Sequence, residues 1–82
     1  MSERAALRAF IEDNFGFRGD LASLSDEDSL LEAGIIDSMA VLVIIQFLEE
    51  RYGITVPDED VAPENLGSIA AIDAYITRRQ GG

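Results

Sequence analysis

One stretch constrains this chain more than any other: from Asp37 to Tyr52 there is neither glycine nor proline, and apolar residues dominate. Its first half, Met39 to Ile45, carries the β-branched residues Val41, Val43, Ile44 and Ile45 and by itself could be a buried strand. Length decides for a helix, because the pattern runs on through Gln46-Phe47-Leu48-Glu49-Glu50-Arg51-Tyr52 and stops at Gly53, with Arg51 in its last turn. At the other end Gly34 can turn the chain, Asp37 is suited to capping, and Ser38 falls at the positive end of the helix. Val41, Ile44, Ile45, Leu48 and Tyr52 form one stripe, the predicted core face, with Phe47 beside it. Ala40, Leu42, Val43 and Gln46 then fall toward the flanks or the outside. A helix this apolar needs more than one neighbour, so part of its outer face should meet either the long loop of the same chain or a partner.

Two further helices follow from the same kind of pattern. Ser2 is a candidate cap for a first helix in which Leu7, Phe10, Ile11 and Phe15 recur at three-to-four-residue steps, ending near Asn14 to Gly16. Ser68 follows the breaker Gly67 and caps a last helix with Ile69, Ile72, Tyr75 and Ile76 on one face and Arg78 and Arg79 at its negative end. A short helical turn is expected at Asp58 to Val61 or at Pro63 to Asn65, after the extended Ile54-Thr55-Val56-Pro57. Between Gly16 and Ile36 no periodicity lasts; Leu21, Leu24, Leu30 and Leu31 should pin a long loop to the core, with one helical turn at Ser29 to Ala33. The expected fold is all-α, a small irregular four-helix bundle of three main helices and one short one.

Composition narrows the chemistry. Eighty-two residues make one domain, 1–82, with a core at about 3–78 and a flexible tail at 79–82. There is no Cys, His, Trp or Lys, and the six cations are all Arg. That inventory removes disulfides, Cys or His metal ligands, a thiol nucleophile, a His base and a Schiff-base lysine. A formal net charge of −10 disfavours nucleic acid and favours partners carrying Arg or Lys patches. Asp26-Glu27-Asp28 and Asp58-Glu59-Asp60 do not match a calcium loop, whose sixth position is glycine where these have Leu31 and Pro63. No signal peptide or bilayer-length apolar run is present, so a cytoplasmic location without membrane contact is expected.

Three readings compete for Ser38. It is a helix start like many others; or a hydrolytic nucleophile, which fails because no base and no Gly-x-Ser-x-Gly elbow accompany it; or an attachment point for an anionic group. The last needs no base in this chain, since a separate transferase would activate the hydroxyl and the helix start would accommodate a phosphodiester.

Gly34-Ile35-Ile36-Asp37-Ser38-Met39 is similar to the attachment motif of the acyl and peptidyl carrier proteins, the phosphopantetheine-binding carrier family. Phe47 to Ile54, Val56-Pro57 and Pro63-Glu64-Asn65-Leu66 support the resemblance, which covers roughly residues 3 to 78. It implies a stand-alone, non-catalytic carrier whose Ser38 bears 4'-phosphopantetheine from coenzyme A, with acyl or aminoacyl intermediates held on the arm as thioesters and shuttled between separate enzymes. Asp37 and Met39 match the residues flanking the family's attachment serine, with capping and transferase-recognition roles. The implied partners are a phosphopantetheinyl transferase, an acyl- or aminoacyl-loading (adenylating) enzyme, and downstream tailoring or condensing enzymes; a monomer is expected.

One departure is informative. Fatty-acid carriers usually bear acids in the first turns after the serine, where this chain has Ala40, Val41, Leu42 and Val43. Docking through Ile36, Leu42, Val43 and Gln46 should therefore be more apolar and less salt-sensitive. The chain looks more like carriers of specialised-metabolite pathways of the polyketide or nonribosomal peptide type, with a fatty-acid-type carrier as the alternative. Two rivals of other classes remain. One is an unmodified helical interaction module. The other is a sulfur-carrier or ubiquitin-like protein activated at Gly81-Gly82, which would need a β-grasp hairpin pattern that the sequence lacks.

Overall fold

The computed structural model describes residues 3–80. Ser2, expected to cap the first helix, and Gly81-Gly82 lie outside the described residues. Among the described residues there are four α-helices and no strand: α1 (Glu3–Phe15), α2 (Ser38–Tyr52), α3 (Pro63–Leu66) and α4 (Ile69–Arg79). Single 3₁₀ turns at Gly16–Arg18, Leu21–Ser23 and Asp58–Asp60 punctuate the connections; where the sequence predicts one short turn at either of two places around residues 58–65, helical turns form at both. The expected tail at 79–82 begins inside α4, for Arg79 is helical and the Gln80 N–H donates to the Ile76 carbonyl at 2.9 Å.

The boundaries of α2 follow from its ends. Asp37 Oδ1 accepts the Ala40 N–H at 2.9 Å, and Gly53 stops the helix in the left-handed region at φ 68°, where a Cβ would be strained. Gly34, at φ 78°, makes the turn that leads into it. The 15-residue helix is buried through Ala40, Ile44 and Leu48, with Val41, Ile45, Phe47 and Tyr52 half-buried. The predicted stripe is thus the observed core face, Ile44 and Leu48 at its centre, and one residue departs from expectation: Ala40, expected on a flank, is only 1% exposed. The helix is apolar on nearly every face, so periodicity alone does not choose among adjacent stripes.

Against α2 pack Leu7, Ile11 and Phe15 of α1 and Ile69, Ile72, Tyr75 and Ile76 of α4 in one core. Phe10 of α1 stacks on Phe47 of α2 with ring centroids 3.9 Å apart. The 16–36 segment is pinned as expected by Leu21 and Leu30, and partly by Leu24; Leu31 instead remains exposed. The turn expected at Ser29 to Ala33 closes through the Ala33 N–H to the Ser29 carbonyl at 3.1 Å, and the 3₁₀ turns at Gly16–Arg18 and Leu21–Ser23 are additions to the expected loop.

A long loop stays ordered only if its backbone polar groups find partners. Arg8 donates to the carbonyls of Leu21 and Leu24 and to Asp26 Oδ1, the last at 2.9 Å. Arg4 reaches Asp26 Oδ2 at 3.2 Å and Asp73 Oδ2 of α4 at 2.8 Å. The Leu30 N–H donates to the Gly67 carbonyl and the Ala70 N–H to the Asp26 carbonyl, each at 2.8 Å. The loop is thereby fastened to the start of α4, while Ser38 and Met39 at the start of α2 remain exposed.

Candidate functional site

The site is the first turn of α2 and the ground beside it. Ser38 occupies the first helical position, and because Asp37 does the capping the Ser38 side chain is left out of that task and stands exposed. Its neighbourhood is electrostatically arranged by the peptide units of a four-turn helix, whose orphan N–H groups and dipole favour negative charge at this end. Asp37 is held below its ordinary carboxyl value of 3.8, first by the Ala40 N–H, against an opposing effect of partial burial, and further by the guanidinium of Arg18. Arg18 Nη1 lies 3.3 Å from Asp37 Oδ2.

Beside Ser38 runs an open groove of about 400 Å³ between α2 and the segment leading into α3. Val41 and Leu42 line it from α2, Val61, Ala62, Pro63 and Leu66 from the other segment, and Leu31 also contributes. The lining is aliphatic apart from the serine, so it can shelter apolar chain next to an exposed hydroxyl but offers little to a charged group deep inside.

The structure brings most of the predicted site residues together. Met39 is 69% exposed, Leu42 59% and Val43 39%, and Gln46 is exposed one turn on, its amide donating to Glu50 Oε2 at 3.3 Å. α2 has no acid in its first turn. Ile36 is a correction: at 3% exposure it belongs to the core, its N–H donating to the Leu30 carbonyl, and it cannot present its side chain for docking. Three features lay beyond sequence reasoning. Arg18 reaches Asp37 from a distant loop, with only its being a cation in a strongly acidic chain as a signal. The groove needs Val61 and Pro63 folded beside α2 from a distant part of the sequence. Leu31 lines that groove rather than pinning the loop.

A serine hydroxyl in solvent, at the positive end of a helix, with an aliphatic groove alongside, fits an arm joined through a phosphodiester and carrying apolar methylene and amide groups. Comparisons with known proteins agree. The family model described as "Phosphopantetheine attachment site" matches residues 5–76. The acyl carrier protein of Akkermansia muciniphila is 33% identical over 75 residues, covering 92% of this chain and 89% of that protein. The D-alanyl carrier protein of Streptococcus suis strain 98HAH33 is 43% identical over 49 residues, 60% of this chain, and the match spans only 61% of that relative's length. In fold the chain matches the solution NMR structure of a holo acyl carrier protein from Nitrosomonas europaea, with a TM-score of 0.77 over the whole of both chains at 22% identity. The chain therefore belongs to the phosphopantetheine attachment family: it is a carrier protein of the acyl carrier type, with 4'-phosphopantetheine as its prosthetic group.

Proposed function

We propose that Ser38 bears the prosthetic group and that this chain, as a single carrier domain over residues 1–82, carries an acyl or aminoacyl cargo between the enzymes of a specialised-metabolite pathway of polyketide or nonribosomal peptide type. The observation that carries the assignment is the exposed hydroxyl at the start of α2, freed from capping by Asp37. The group, when bound, supplies the thiol that a chain without cysteine lacks. Ser38 supplies the ester oxygen. Asp37 keeps the helix start wound and presents its carboxylate to the transferase. Met39, Leu42, Val43 and Gln46 offer the docking face to that transferase, to a loading enzyme and to downstream tailoring or condensing enzymes.

Support for an aminoacyl cargo, loaded by an adenylating enzyme, comes from the absence of acids in the first turn of α2 and from the similarity to D-alanyl carrier proteins. A fluorescent coenzyme A analogue with a promiscuous phosphopantetheinyl transferase should label the wild type and leave Ser38→Ala unlabelled. The labelled position is wrong if Ser38→Ala still takes up the fluorophore. Loading of the holo chain by a fatty-acid acyltransferase, and by no adenylating enzyme, would overturn the aminoacyl reading.

A further inference from the structure

Among the described residues, the fold delivers one arginine to the motif around Ser38. Arg18, the last residue of the Gly16–Arg18 turn, pairs with Asp37 Oδ2 while Asp37 Oδ1 holds the Ala40 N–H. The guanidinium lies within cation–π distance of two rings, 5.3 Å from the centroid of the buried Phe15 and 5.6 Å from that of Phe17, which is 83% exposed. Its side chain is 30% exposed, so it is not closed off from solvent beside the motif. The other arginines are placed elsewhere. Arg4 and Arg8 serve Asp26 and Asp73, and Arg51, Arg78 and Arg79 sit in the last turns of α2 and α4. Along α2 the rise per residue puts Arg51 about 20 Å from Ser38.

A phosphodiester on Ser38 sets a second negative charge next to Asp37 in a chain of formal net charge −10. A guanidinium carries five N–H donors in a planar fork, more than one carboxylate oxygen occupies. We propose that Arg18 is a positioning residue of the attachment site: it stays paired with Asp37 and, once Ser38 is modified, also donates to the phosphodiester, offsetting the repulsion between the two anions and restraining the first bonds of the arm. The inference rests on Ser38 being the modified residue.

The test starts from the full wild-type chain treated with coenzyme A and a phosphopantetheinyl transferase. If intact mass shows no modification of Ser38, the attachment reading fails and Arg18 has no phosphate to meet. With the modified chain in hand, urea unfolding is measured on apo and holo forms of the wild type, Arg18→Gln and Arg18→Lys. Arg18→Gln should lower the folded-to-unfolded ratio about threefold more in the holo form than in the apo form. That excess should shrink at high salt, and Arg18→Lys should restore part of it as a point charge without the fork. The phosphorus NMR resonance of the holo chain should also shift in Arg18→Gln. An equal loss in the apo and holo forms overturns the proposal and confines Arg18 to supporting the Asp37 cap.

Discussion

Two helices of this protein begin at a serine, and they begin differently. At α4, Ser68 is itself the cap: its Oγ accepts the Ala71 N–H at 3.1 Å, the Asp26 carbonyl takes the Ala70 N–H, and Ile69 behind it is fully buried. At α2 the capping is done by Asp37, Ser38 lies one position inside, and the next residue, Met39, faces solvent. The α4 start is consumed by the fold, its Ala70 and Ala71 N–H groups partnered and a loop fastened to it by Arg4 and Arg8. The α2 start keeps its hydroxyl and its electrostatic bias for use on another molecule. A serine at a helix N-terminus is therefore no site in itself; what matters is whether capping and packing have already used it.

The contrast can be broken at several depths. The largest effect is expected from the residue after each serine: Ile69→Ala should cost about 2–5 kcal/mol in urea unfolding, whereas Met39→Ala should stay within about 0.5 kcal/mol. Comparable losses from both would mean that the two starts are packed alike. Arg8→Ala should cost about 1–2 kcal/mol, because charge-assisted bonds to Asp26 and to two loop carbonyls are lost from a partly exposed site. It should also speed amide exchange at Ala70, whose partner carbonyl belongs to Asp26.

Between the serines themselves the difference is smaller and opposite in kind. Ser68→Ala should remove a cap worth about 1 kcal/mol and leave phosphopantetheinylation unchanged. Ser38→Ala should move stability by no more than about 0.5 kcal/mol while abolishing modification. The smallest change expected is in the pH profile. Asp26 titrates below its ordinary 3.8, chiefly through Arg8, with burial opposing and Arg4 adding to the effect. A carboxyl with a depressed folded-state value stabilises above the unfolded value and loses that stabilisation as pH falls through the folded one. Asp26→Asn should therefore flatten the stability profile below about pH 4, and an unchanged acid limb would show that the Arg4–Asp26–Arg8 cluster does not hold the loop.

The helices were legible because their ends are written in single residues: Asp37 and Gly53 bound α2, Ser68 opens α4, and Pro63 starts α3. The attachment motif was legible for the same reason, since Gly34, Asp37 and Ser38 each answer a local conformational demand. Contacts between distant segments were not. The burial of Ala40, the burial of Ile36 and the meeting of Val61 with Leu42 across a groove are decided by how the long loop and α3 pack, and no local spacing encodes that. Arg18 is the sharpest case, because a cation in a loop gains its meaning only when Asp37 arrives beside it.

The most direct test of the account is fragmentation mass spectrometry of the intact chain after incubation with coenzyme A and a phosphopantetheinyl transferase. Of the six serines, at positions 2, 23, 25, 29, 38 and 68, the account predicts one phosphopantetheine on Ser38 and none elsewhere, with Ser38→Ala unmodified. A phosphopantetheine located on any other serine, or no modification of the folded wild type, would contradict it.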